Sequence, residues 1–196
     1  ISSWNEFAPN KKIAPNMNWE KFNSSQSSVI KYLFDYSKKN KISLFVYGKM
    51  TNSEIAKKEY HYYQNILGEK NWNFIFGNKK KSYNIIDKAK LSVTLNSSLG
   101  YESFSRGTKT IFFSLRPKKK YLNSLRFAWP ARFKGRGFFW TDTLDIQYCD
   151  RMIKRVASIN QAKWKKIKSN FDEDLMIINE NNSKFQSLIK RIISEY

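Results

Sequence analysis

The stretch from Leu91 to Leu115 limits the possible folds of this chain more than any other part of it. An apolar run of strand length, Leu91 to Leu95, leads into a helical pattern from Ser98 to Ser105. Gly107 stops that helix, and a second apolar run follows from Lys109 to Leu115. Strands that alternate with helices at this spacing require crossover connections, which place the strands parallel to one another. The runs are almost continuously apolar, as expected of strands covered on both faces. The same alternation starts upstream. Val29, Ile30, Leu33 and Phe34 recur at helical spacing and predict a helix over 27–39. A strand over 42–47 ends at Gly48, a helix over 53–67 stops at Gly68, a strand over 72–76 closes at Gly77, and a short helix spans 83–88. Beyond Arg116 the pattern loosens into a basic, aromatic loop up to Thr141, and helices are expected over 144–159, 161–171 and 184–193. The predicted fold is α/β: a three-layer, Rossmann-like parallel sheet with flanking helices over residues 27–196, preceded by an irregular segment over 1–26.

Composition narrows the function. An apolar share of 41% is ordinary for a globular chain of this length, which fits one domain or one lobe of a larger enzyme. The longest apolar stretches are strand-sized, well short of the roughly 18 residues that span a bilayer. The first residues lack the basic and apolar segments of a secretory signal. The single cysteine, Cys149, and the single histidine, His61, allow neither an internal disulfide nor a Cys- or His-based metal site. Cys149 is expected to be a packing residue and His61 a residue of a helix surface. No metal or cofactor is expected, and a reducing cytoplasm is the natural compartment. The net charge of +20 attracts polyanions, whether nucleic acid, anionic membrane or phosphorylated small molecules. The chain is also crowded with Asn, Ile, Lys and Tyr, so the charge permits such partners without selecting among them.

The chemistry is concentrated where the strand ending at Leu95 turns through Asn96, Ser97 and Ser98 into a helix. Open α/β sheets bind ligands in the crevice beyond the carboxyl ends of their strands. A helix start there offers unpaired N–H groups and the positive end of the dipole, a site for phosphate. Ser97 and Ser98 add hydroxyl donors, and Gly100 leaves the first turn without a side chain. A simpler reading has one serine as an N-cap and Gly100 as a packing residue. Glu102 does not complete a capping box with either serine, since a box places the acid three residues after the cap. It stands one turn beyond Ser98 on the same face, where a carboxylate can accept from two ribose hydroxyls.

The run Thr94-Leu95-Asn96-Ser97-Ser98-Leu99-Gly100-Tyr101-Glu102, with Arg106-Gly107, resembles a signature of bacterial surface-carbohydrate glycosyltransferases of the two-lobed GT-B fold. So do Phe127-Ala128-Trp129-Pro130, Gly135, and Gly137-Phe138-Phe139-Trp140, and the short helix Tyr83 to Asp87. The resemblance implies the C-terminal, donor-binding lobe of such an enzyme, with Ser97, Ser98 and Gly100 meeting the donor phosphates and Glu102 the ribose. It implies a nucleotide-sugar donor, a glycan or lipid-linked acceptor, and an N-terminal lobe outside these 196 residues that holds the general base. The start at Ile1 rather than Met accords with that expectation. Related enzymes often carry a His-Pro pair after the first strand of this lobe. Here Tyr47-Gly48-Lys49-Met50 stands, and Lys49 would supply positive charge in place of a neutral imidazole.

Arg116, at a carboxyl strand end, is a further candidate to grip a phosphate or an acidic sugar in bidentate fashion, with plain surface solvation as the alternative. The basic cluster Lys118-Lys119-Lys120, Arg126, Arg132, Lys134 and Arg136 is either a solvated face, a steering field or a peripheral contact with the inner face of an anionic membrane. Trp129, Phe138, Phe139 and Trp140 either stack on a ligand or pin their loop to the core. Two other functions remain open: a basic nucleic-acid-binding domain without enzymatic activity, and a sugar-nucleotide-binding lobe that has lost catalysis. Against the first, the chain has no helix-turn-helix, zinc-finger or RNP-type motif, so no specific nucleic acid is expected.

Overall fold

The computed structural model describes residues 1–4, 19–51, 53–68, 70–78, 81–95, 97–115, 135–175 and 183–194. The elements run α1 (Trp19–Lys39), β1 (Phe45–Tyr47), α2 (Ser53–Leu67), β2 (Asn73–Ile75), α3 (Ser82–Lys88), β3 (Ser92–Thr94) and α4 (Ser98–Ser105). They continue with β4 (Thr110–Phe113), β5 (Trp140–Thr141), α5 (Ile146–Ser158), α6 (Gln161–Ser169), α7 (Asp172–Leu175) and α8 (Ser183–Ser194). The expected alternation is present and the strands are parallel. β1 pairs with β2, and β3, β4 and β5 pair in that order. Between the two sheets lie the first residues of the chain: the Ile1 nitrogen donates to the Val93 carbonyl (2.7 Å) and the Ser2 N–H to the Tyr47 carbonyl (2.9 Å). From edge to edge the order is β2, β1, residues 1–2, β3, β4, β5.

The larger core forms around β4, whose four residues are all buried. Phe112 meets Phe104 of α4 and Phe139 ahead of β5, while Trp164 of α6 closes edge-on over Phe104 and Phe139 at 5.6 Å. α5 contributes Cys149, Met152, Ile153 and Val156, one stripe at helical spacing. Its start is set by Asp145, whose carboxylate accepts the Tyr148 N–H. That hydrogen bond holds the Asp145 carboxyl below its usual range. A second cluster joins Ile30, Val46, Tyr63 and Leu67 beneath the β1–β2 sheet.

Three differences from the sequence reading have physical causes. α1 starts at Trp19 rather than near Ser27, so a described part of the segment read as irregular is helical. The mix of Trp, Asn, Pro, Lys and Ser before Ser27 carries no sustained period and so holds no helical signal. Ser27 and Ser28 return their hydroxyls to the Ser24 carbonyl, one turn back, within the helix. β1 loses its first three expected residues because Ile42 serves the preceding helix. Its N–H bonds to the Ser37 carbonyl across Lys41, which has φ 53°, closing a Schellman-type end. β5 was expected to be loop. Its two residues pair with Phe112 and Phe113, too short a strand to leave any periodicity.

Cys149 is fully buried, as expected of a packing residue. Burial, with the neighbouring Asp145 and Asp150 charges, pushes its thiol up to about 11. An unfolded cysteine ionises near pH 8.5. The contribution of Cys149 to stability is therefore complete below about pH 8.5 and is lost as pH rises toward about 11, where the unfolded chain ionises first. Ellman's reagent at pH 8 should leave the native thiol essentially unreacted and modify it quickly in guanidinium; rapid modification of the native chain would contradict this burial.

Candidate functional site

A cleft of about 670 Å³ opens beyond the carboxyl ends of β1, β2 and β3. Three turns meet there: residues 48–51 after β1, Gly77 and Asn78 after β2, and Ser97 to Leu99 after β3, with residues 1–3 beside them. Of the residues expected at the site, Lys49, Ser97, Ser98 and Glu102 all line this cleft. Ser98 and Lys49 are exposed, while Ser97 and Glu102 are half-buried, so the cleft is open to a ligand at each of them. Asn96 and Arg116 lie outside the described residues, as do Trp129 and the basic cluster apart from Arg136. Arg136 pairs with Asp145 at 2.8 Å and lies over the Tyr148 ring. Phe138, Phe139 and Trp140 pack into the core, and His61 sits exposed on α2 beside Gln64.

The turn into α4 is built by its own residues. Ser97 takes the N-cap position with extended backbone, yet its hydroxyl makes no capping hydrogen bond. Thr94 Oγ1 accepts the N–H of Ser97 itself, at 3.2 Å, and the Ser97 carbonyl accepts the Gly100 N–H. Helix geometry leaves the N–H groups of Ser98 and Leu99 without intrahelical acceptors, and both residues border the cleft. Gly100 does not line the cleft. It is buried against β3, and a Cβ at that position would stand 2.3 Å from Thr94 Cγ2. Its missing side chain lets α4 sit close on the strand, which is the packing role.

Glu102 is not isolated. The Tyr83 hydroxyl is raised above its ordinary range, chiefly by the Glu102 carboxylate beside it. Arg106 lies over the Tyr83 ring at 4.5 Å and grips both oxygens of Asp87. The Arg106 contacts with Asp87 and Tyr83 thus tie α3 to α4, and of this group Tyr83 and Glu102 line the cleft.

The residue that sequence reasoning missed is Glu59. It is fully buried in α2, and its carboxylate accepts the N–H groups of Lys49 (3.0 Å to each oxygen) and Met50 (3.0 Å) together with the Ser2 hydroxyl. A buried carboxylate needs such donors, and here they are the backbone of the loop that carries Lys49. Two glycines let that loop close down. A Cβ on Gly77 would meet the Gly48 and Met50 carbonyl oxygens at 2.7 and 2.8 Å, and one on Gly48 would meet the Phe74 ring at 2.6 Å. Tyr47, also buried, fixes the next turn: its hydroxyl contacts Ser82 Oγ (2.8 Å) and accepts the Asn78 N–H (3.0 Å). The signal for Glu59 was in the sequence. Ala56, Glu59, Tyr63 and Leu67 form one buried stripe, and an acid within an apolar stripe is an anomaly that requires partners.

Fold and cleft together define a mixed α/β protein with short parallel sheets and a cleft beyond their strand ends. Residues 4–193 match a family described as "putative O-antigen biosynthesis protein". The match takes in nearly the whole chain, so the protein belongs to that family, whose description points to surface-carbohydrate biosynthesis. No curated protein and no solved structure matches the chain.

Replacing Glu59 by Gln keeps the shape and removes half of the acceptor capacity. The Lys49 and Met50 N–H groups would then compete for one oxygen beside an amide that can only donate. A loss of about 1–3 kcal/mol is expected, read as a fall of roughly 2–4 °C in melting midpoint for each kcal/mol. An unchanged midpoint would show that the loop is held by other contacts.

Proposed function

We propose that the cleft receives the diphosphate and ribose of a nucleotide-sugar, and that the chain is the donor-binding part of a glycosyltransferase in O-antigen biosynthesis. The observation that carries this reading is the convergence of Lys49, Ser97, Ser98 and Glu102 on one open cleft at the carboxyl strand ends. The strand order supports it. With residues 1–2 counted as the central strand, the sequence β2, β1, 1–2, β3, β4, β5 has the order of a doubly wound, Rossmann-like sheet. The connection changes direction beside residues 1–2, and ligands of such sheets bind at that switch point.

In this reading the N–H groups of Ser98 and Leu99 and the start of the α4 dipole face the phosphates, with the Ser97 and Ser98 hydroxyls as further donors. Lys49 brings a full positive charge from the opposite lip. As the glycosyl bond breaks, negative charge grows on the leaving phosphate, and donors already fixed around it stabilise that charge without reorganising. Glu102, beside Tyr83 on the cleft wall, accepts from the ribose hydroxyls. Gly100 acts indirectly, by letting α4 approach β3. The glycan or lipid-linked acceptor and the general base belong to a second lobe, so the 196-residue chain alone is expected to bind donor and to transfer poorly.

The test is a thermal-shift screen against UDP-, GDP-, CMP- and CDP-linked sugars, repeated with Ser98→Ala and Glu102→Ala. A ligand at about ten times its Kd contributes about 1.4 kcal/mol, a rise of roughly 3–6 °C for a chain of this size. One nucleotide class should raise the midpoint, and both variants should lose most of the rise. No rise with any donor, or a rise that both variants keep, would remove the donor reading. Tight oligonucleotide binding at physiological salt would favour a nucleic-acid-binding domain instead.

A further inference from the structure

We propose that α8 docks on an anionic lipid bilayer, lying in the interface with Phe185, Leu188, Ile189, Ile192 and Ile193 turned into the acyl region. These five residues fall at i, i+3, i+4, i+7 and i+8 and cover an arc of about 140° on a helix of 3.6 residues per turn. α5 carries a comparable stripe and buries it, with Met152 and Val156 fully enclosed. α8 exposes its stripe instead, from 39% at Ile189 to 69% at Ile193, and none of its residues enters either buried cluster.

Electrostatics select the occupant. The helix sequence contains Lys184, Lys190 and Arg191 and no acidic residue. Helix geometry sets Lys190 beyond one margin of the apolar arc and Arg191 beyond the other, and both are exposed. Cations in those positions lay their stems along the hydrocarbon and reach lipid phosphate with their heads. A protein groove could cover the apolar face, but it would need acids along both rims. An anionic leaflet supplies the apolar interior and the rim charges together. The net charge of +20 on the whole chain adds to the attraction. At about 18 Å the helix is too short for a hydrocarbon core of about 30 Å, so it lies on the membrane. Consistent with that, no helix among the described residues is long and apolar enough to cross one. This inference does not depend on the donor reading of the cleft.

The experiment is co-sedimentation of the 196-residue chain with phosphatidylcholine vesicles, with and without about 30% phosphatidylglycerol. The chain should pellet with the mixed vesicles and remain in solution with the neutral ones. Leu188→Gln with Ile192→Gln leaves net charge unchanged, yet should weaken binding at least ~10-fold. Lys190→Gln with Arg191→Gln should also weaken it, by roughly 10-fold at low salt. Both double variants should keep the parental melting midpoint, because the substituted side chains lie outside the core. Equal binding by the Leu188/Ile192 variant would assign the attraction to the chain's charge alone and overturn the proposal. So would failure to pellet with mixed vesicles. A dimer in analytical ultracentrifugation that the same variant dissolves would assign the face to a second copy of the chain, which also overturns it.

Discussion

The cleft depends on a buried carboxylate. Glu59 lies beneath the turn that follows β1, and a charge without solvent is tolerated only where donors surround it. The Lys49 and Met50 N–H groups and the Ser2 hydroxyl provide them. The same contacts join α2, the β1–α2 turn and the first residues of the chain at one point. Without that tie the turn would have to find other acceptors, and the position of Lys49 would be set by loop entropy rather than by the core. The compact Gly48–Gly77 contact then brings the turns after β1 and β2 together.

Across the cleft, rigidity comes from packing. β4 is buried along its full length, and the rings of Phe104, Phe112, Phe139 and Trp164 lock α4 and α6 against it. Between α4 and the sheet run small hydroxyl side chains, with Ser103 bonded to Ser92 at 2.9 Å and Thr110 bonded to the Thr108 carbonyl. Small residues let the helix approach closely, and their mutual hydrogen bonds satisfy hydroxyls that burial has removed from water. The start of α4 therefore faces the cleft from a fixed base, a condition for any preorganised anion site.

Much of this was legible in the chain. The helices over Ser53–Leu67 and Ser98–Ser105 were predicted to the residue, because Gly68 and Gly107 stop them and serines open them. The parallel arrangement followed from the alternation of apolar runs with helical patterns. The α1 start was hidden because the residues before Ser27 carry no sustained period, and β5 by its two-residue length. At the site, the pairing of Ser98 with Glu102 on one face could be read from their spacing. The partners of Glu102 and Lys49 could not, since Tyr83 and Glu59 are distant from them in sequence.

Local pattern alone determined the order and type of elements, the parallel sheets and the polar turn ahead of α4, because backbone periodicity and turn chemistry act between near neighbours. Tertiary structure decided what each polar group serves. It turned Gly100 inward onto Thr94, gave the Thr94 hydroxyl the Ser97 N–H while leaving Ser97 without a capping hydrogen bond, and set Glu59 under a loop ten residues before it. It also left the stripe of α8 outside the core while enclosing that of α5. An amphipathic pattern specifies that a face will be covered; only the packing of the remaining elements determines whether this chain covers it.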